Sequence, residues 1–197
     1  YNCRGCHNVE DNGGDIQKYL TSKAQYPPPL EMGDYHVGER LKSSWLFSFL
    51  KEPTPVRTWI KVKMPTFFFT DKEVRELTAY FEAMSPASVY EAGVHQNKDG
   101  AVAQKGAEMV TYMDCGRCHD EGQKGIEFSL ASKRLRQEWI PKWLKDTRSM
   151  IPWTPMPSHW TKQGDQYTVP IKYSEIKSVG DVSTQLNTLK DLIVAYN

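Results

Sequence analysis

All four cysteines of the 197-residue chain fall into two five-residue stretches, Cys3-Arg4-Gly5-Cys6-His7 and Cys115-Gly116-Arg117-Cys118-His119. Two thiols three positions apart on a short turn can each add to one vinyl group of a haem, while the imidazole that follows reaches the iron. The pattern therefore reads as covalent haem attachment, used twice, and it accounts for every thiol in the chain.

Rival uses of Cys-x-x-Cys fit less well. A zinc ribbon separates its two pairs by about 15 to 20 residues, whereas more than a hundred intervene here. A thioredoxin-like redox pair needs a strand-helix-strand context and leaves the histidine after each second cysteine unexplained. Four cysteines clustered as close pairs are also too sparse to staple a chain of this length with disulfides.

Length and repeated motif together predict two domains of roughly a hundred residues each. The formal net charge of +1 turns mildly negative once about four propionates are counted for two haems, so nucleic acid is not an implied partner. The longest apolar runs, Trp45-Leu46-Phe47 and Leu192-Ile193-Val194-Ala195, fall far short of the roughly 18 residues of a membrane span, and no transmembrane segment is expected in the chain.

An internal repeat extends beyond the cysteines. Arg40-Leu41-Lys42-Ser43-Ser44-Trp45-Leu46 matches Arg134-Leu135-Arg136-Gln137-Glu138-Trp139-Ile140, and Phe49-Leu50-Lys51-Glu52 continues it without a gap as Trp143-Leu144-Lys145-Asp146. The apolar spacing predicts an amphipathic helix in both halves. Each half then carries a Met-Pro pair, Met64-Pro65 and Met156-Pro157. A terminal helix follows each pair: the first opens with the capping box Thr70-Asp71-Lys72-Glu73 and turns Val74, Leu77 and Phe81 inward, with Tyr80 alongside. The second begins between Asp181 and Thr184 and lines up Leu186, Leu189, Ile193 and Tyr196. A turn-rich stretch places the linker at 86–102, between a first domain at 1–85 and a second at 103–197. Gln104 to Asp114 reads as a helix leading into the second motif. The first motif starts at residue 3, so its equivalent helix is expected upstream, in a longer polypeptide.

Taken in order, attachment motif, Trp-bearing helix, Met-Pro and terminal helix, the chain resembles class I cytochrome c, present twice. The resemblance implies a mainly α fold of two tandem cytochrome c-like helical domains, the first lacking its N-terminal helix, with two covalently bound haem c groups. It implies that Cys3, Cys6, Cys115 and Cys118 attach the haems, that His7 and His119 are the proximal iron ligands, and that Met64 and Met156 are the distal ones. Met84, Met109 and Met113 are expected as core filler. Met150 and His159 lie close enough in sequence to Met156 to compete with it, while His36 and His95 read as loop residues. The family also implies a proline carbonyl, from Pro28 or Pro29, accepting from the proximal imidazole. The second half has no proline between His119 and Pro141, which leaves the partner of His119 open. Arg40 and Arg134 are candidates for the propionates, and Trp45, Trp59, Trp139 and Trp153 for the pocket walls. The stretch 161–180 departs from the first half; Tyr167 to Tyr173 reads as an extended edge or loop, with a docking role open to it.

The expected function is one-electron transfer between redox protein partners, as a subunit or fragment of a membrane-associated respiratory assembly. Haem attachment is completed outside the cytoplasmic membrane, so the expected location is the periplasm or the outer face of that membrane, with any leader before Tyr1 removed. No residue is assigned as catalytic. The competing classes are a dihaem peroxidase and a haem-based sensor with a displaceable ligand in the second half.

Overall fold

The computed structural model describes residues 1–85, 100–121 and 124–196. The fold is mainly helical, with two small sheets. Among the described residues two compact units form: one holds 1–85 with 148–155, the other 100–147 with 156–196. Residues 86–99 of the expected linker lie outside the described residues. Its last part, 100–102, is already helical.

In the first unit a 3₁₀ turn at Cys3–Gly5 leads into strands β1 (Asn8–Val9) and β2 (Asn12–Gly13), joined by a two-residue turn in which Glu10 and Asp11 both take positive φ, 52° and 59°. Two such residues give a hairpin turn whose twist matches the strands. Strands β3 (Glu31–Met32) and β4 (Tyr35–His36) form a second hairpin around Gly33, and β3 pairs in parallel with β1, so the order is β2-β1-β3-β4. The sequence reading did not anticipate this sheet.

Helix α1 (Val37–Arg40) runs straight into α2 (Ser43–Lys51), with Leu41 as an extended break between them. The predicted single helix is thus two. Helix α3 (Asp71–Ala83) opens on the expected capping box: Thr70 accepts from the Glu73 amide, and the Thr70 amide donates to the Glu73 carboxylate. Its apolar face, Val74, Thr78 and Phe81, is buried against α1 and α2, with Leu77 only half-buried and Tyr80 exposed.

The second unit repeats the plan after helix α4 (Gly100–Tyr112). Helix α5 (Gly116–His119) carries the motif, α6 (Phe128–Arg134) ends at the buried Leu135, and α7 (Trp139–Lys145) follows. The breaks match: Leu41 and Leu135 take ψ of 142° and 145°. So do the ring pairs one turn apart, Trp45 on Phe49 at 4.8 Å and Trp139 on Trp143 at 5.3 Å. Pro141 sits in the first turn of α7, where its missing N–H costs no helical hydrogen bond. Helix α8 (Thr147–Met150) closes this stretch.

The segment 161–180 is more ordered than expected. Strands β5 (Thr161–Gln163) and β6 (Gln166–Thr168) pair as a hairpin around Gly164, and Ile171–Val179 is 3₁₀-helical with a kink at Tyr173, so only the start of the predicted extended stretch is extended. Helix α9 (Val182–Ala195), capped by Asp181, crosses α4 and packs on α6 and α7, burying Leu186, Leu189 and Ile193. Tyr196 lies beyond the helix and is 43% exposed.

Gln185, on the first turn of α9 and fully buried, ties the segment down: it accepts from Trp160 Nε1 at 2.9 Å and donates to the carbonyls of Gly180 at 2.7 Å and Ile176 at 3.1 Å. A buried polar group that loses its partner costs about 1–3 kcal/mol. Gln185→Leu, which keeps the bulk and removes all three bonds, is expected to lower stability by on the order of 3 kcal/mol. Urea unfolding followed by circular dichroism checks this; a loss below about 0.5 kcal/mol would count against the network.

Candidate haem sites

Each Cys-x-x-Cys-His stretch is a single helical turn closed by its own backbone. The His7 amide donates to the Cys3 carbonyl at 2.8 Å, and the His119 amide to the Cys115 carbonyl at 3.0 Å. Residues three and four apart on such a turn share a face, which sets the two cysteines and the histidine of each motif on one side of it; in the second motif Cys115 and His119 line a cleft while Cys118 is exposed. Asn2 caps the first turn by accepting from the Gly5 amide at 3.1 Å. The second is delivered by the end of α4: Asp114, at φ 58°, sends its amide to Thr111 while the Cys115 amide reaches back to Val110. That double bond pattern around one left-handed residue is a Schellman ending.

Glycine lies against each turn at a point no side chain can enter. A Cβ on Gly13 would sit 2.6 Å from the Arg4 carbonyl and 2.7 Å from that of His7, and one on Gly125 would sit 2.3 Å from the Cys118 carbonyl. The chain after the motif therefore folds back directly onto the motif backbone.

That return supplies the histidine partners. His7 Nδ1 lies 2.7 Å from the Pro28 carbonyl, and His119 Nδ1 lies 2.7 Å from the Ile126 carbonyl. A carbonyl only accepts, so Nδ1 carries a proton in both rings, and Nε2 is the nitrogen left to bind a metal. Of the two prolines expected to serve His7, the carbonyl is Pro28's; Pro29 is fully buried instead. The open question at His119 is answered by a non-proline residue, which no proline-based pattern could locate. Burial above all pushes the His7 pKa down, with Arg57 pressing the same way against the Pro28 bond, which favours the neutral ring.

In the second unit His119 faces an apolar cleft with about 340 Å³ of empty space, partly open to solvent, whose walls also include Cys115, Met156, His159 and Trp160. Phe128 stacks on the His119 ring at 4.9 Å and 19°. Met150 is buried but does not line the cleft. His159 does, with Nδ1 3.2 Å from the Tyr173 hydroxyl and its pKa pushed down to about 4 by burial, Lys172 and His119. Met156 is held by Trp143, whose Nε1–H donates to the thioether sulfur at 3.0 Å, and by Thr147, whose hydroxyl donates to its carbonyl at 3.0 Å. Trp139, expected in the wall, is buried against Trp143 instead, and Trp153 belongs to the first unit, where it meets the Tyr26 ring at 6.0 Å. Arg134 is buried at the end of α6. Trp160, Phe128 and Trp143 were missed in the sequence; the repeat register, which sets Trp143 opposite Phe49, was the available signal.

In the first unit Met64 is half-buried in the irregular run before α3, and Trp45 and Trp59 are half-buried too. Gln25 braces that loop, donating to the Trp59 carbonyl at 3.1 Å and accepting from the Lys61 amide at 2.9 Å. Arg40 donates to the Tyr35 hydroxyl, and Arg57, absent from the sequence candidates, donates to the Tyr26 carbonyl at 3.0 Å. Burial and the Arg40 charge push Arg57 down to about 10. His36 is engaged by the buried Glu31 at 2.6 Å, and His95 lies outside the described residues. Of the filler methionines, Met109 and Met113 are buried, Met113 in the cleft wall, whereas Met84 is exposed.

The donor set fits an iron porphyrin. Each turn offers two free thiols and an imidazole whose Nδ1 is spent on a carbonyl, Arg57 with Arg40 beside it brings positive charge toward His7, and the apolar second cleft includes the Met156 side chain in its wall. Among the described residues no three His, Cys, Asp or Glu side chains gather to hold a bare ion, an arrangement that a haem iron, bound by its ring, does not need. Comparison with known proteins returns no match: no family model fits the chain, and no curated protein or solved structure matches it significantly.

The two thiols of the second motif differ. Cys118 is exposed, while burial, Asp114 and Cys118 push Cys115 up to about 11. The thiolate is the nucleophile, so in the haem-free chain alkylation of Cys115 is expected to speed up about tenfold per pH unit from pH 8 to 10. Peptide mapping after brief iodoacetamide treatment reads this, and a Cys115 rate that levels off below pH 9 would contradict it.

Proposed function

We propose that the chain is a dihaem c-type cytochrome of two tandem cytochrome c-like domains that passes single electrons between protein partners. The observation that carries this reading is the matched orientation of His7 and His119, each with Nδ1–H spent on a backbone carbonyl 2.7 Å away and Nε2 left for a metal. When bound, haem supplies a one-electron ferric–ferrous couple.

The residues do the rest. Cys3 and Cys6, and Cys115 and Cys118, fix each group covalently, so it cannot dissociate between turnovers. Met64 and Met156 would each offer a thioether to the iron, a ligand that would favour the reduced state and leave small oxidants no site on the metal. Phe128, Trp160 and Leu189 give the second site apolar walls that would limit water around the iron and so lower the cost of changing its charge. Arg40 and Arg57 offset propionate charge at the first. Partners in a respiratory assembly, and a location outside the cytoplasmic membrane, belong to this proposal. Among the described residues no helix is long and apolar enough to cross a membrane.

The presence of His159 in the cleft beside Met156 favours one second reading, a sensor whose distal ligand can be displaced. Intact mass and the near-infrared spectrum of the oxidised holoprotein test both. Two covalent haems with a methionine-to-iron charge-transfer band of two-haem intensity, halved in Met156→Ala, is the expected result. A band worth one haem with carbon monoxide binding to the ferrous protein favours the sensor, and a chain that leaves a cytochrome c maturation host without covalent haem sinks both.

A further inference from the structure

We propose that Trp143 is a positioning residue that holds and polarises the Met156 thioether, so that the two iron sites of the chain are electronically unequal by design of the repeat. This rests on Met156 being the second distal ligand. The sulfur takes an N–H from Trp143 at 3.0 Å, yet Trp143 is not part of the cleft wall while Met156 is, so the indole approaches the sulfur from outside the cleft. A thioether has two lone pairs: one can face the cleft while the other accepts from the indole. The ring is held for this by its stack on the buried Trp139, 5.3 Å and 15°.

The first repeat carries the same stack, Trp45 on Phe49 at 4.8 Å and 16°, but the residue in register with Trp143 is Phe49, which has no N–H. A second contact differs in the same sense. Thr147, fully buried, donates its hydroxyl to the Met156 carbonyl, and the residue in register is Pro53, with neither a hydroxyl nor an N–H to give. Two donors to one methionine are therefore present in the second half and chemically impossible at the matching positions of the first.

An N–H on the sulfur draws electron density from it and makes it a poorer donor to ferric iron, which favours the ferrous state. Removing the bond shifts the balance back. Trp143→Phe installs the ring of the first repeat and keeps the stack on Trp139.

The test is spectroelectrochemical titration of the wild-type and Trp143→Phe holoproteins, with the near-infrared methionine band recorded on each oxidised sample. The expected result is that one haem alone shifts, its ferrous-to-ferric ratio at a fixed applied potential falling about threefold, with the band kept at two-haem intensity. If neither haem shifts while the band stays intact, the role of Trp143 is overturned and the ligand assignment stands. If Met156→Ala leaves the band of the wild type unchanged, Met156 is not a ligand and the inference falls with it. Should the variant fold poorly, the wild type decides: the Trp143 indole proton of the ferrous holoprotein should exchange with solvent at least about tenfold more slowly than a solvent-exposed indole, and fast exchange overturns the proposal.

Discussion

The hydrogen bond between each motif imidazole and a backbone carbonyl is the constraint around which both units are organised. It needs a carbonyl to arrive within 2.7 Å of a ring nitrogen that is itself fixed by the preceding helical turn. The chain meets this in two ways. In the first unit the return passes through the β1–β2 hairpin and two 3₁₀ turns, at Asp15–Tyr19 and Lys23–Gln25, before it reaches Pro28, 21 residues beyond His7. In the second it needs only the short run from His119 to Ile126. Both routes press a glycine against the motif backbone, because there is no room for a side chain between turn and return.

Much of this was legible. The motifs stand alone in the sequence, and the repeat from Arg40 and Arg134 onward predicted the paired helices whose breaks at Leu41 and Leu135 agree within a few degrees in ψ. The capping box at Thr70 and the start at Asp181 were read correctly because caps are local chemistry, set by side chains within four residues of the bonds they make. What escaped was non-local or contrary to propensity. The Glu10–Asp11 turn uses two acidic residues with positive φ where glycine or asparagine is the usual signal, so the small sheet had no advertisement. The Ile126 carbonyl belongs to a backbone, which no residue type announces. Trp139 and Trp160 look alike in sequence; which one faces the cleft depends on how α7 and the segment before β5 pack, and only the fold decides that.

The two halves show how a duplicated plan diverges without losing its frame. Positions that hold the frame, Leu41 and Leu135, Leu46 and Ile140, Leu50 and Leu144, remain aliphatic and buried. Positions beside them differ in chemistry: Phe49 stands in register with Trp143, and Pro53 with Thr147. Around Met156 the result is a chain of polar contacts, with Ser158 donating to Asp146 and the Tyr167 hydroxyl donating to the same carboxylate. In the first half the loop after Met64 is tied by a cation instead, Lys51 reaching the Phe69 carbonyl at 2.8 Å and Asp71 at 2.8 Å.

Gln185 gives the segment 161–180 a different standing from that of an ordinary surface excursion. Its carboxamide joins Trp160, a wall of the cleft, to Ile176 and Gly180, which lie just before α9. The base of the excursion is thus tied at one buried side chain to both the cleft wall and the terminal helix, so loosening any of the three strips hydrogen bonds from the other two. The exposed tip at Gly164 and Asp165 is the place where the hairpin can be extended or trimmed without disturbing those bonds.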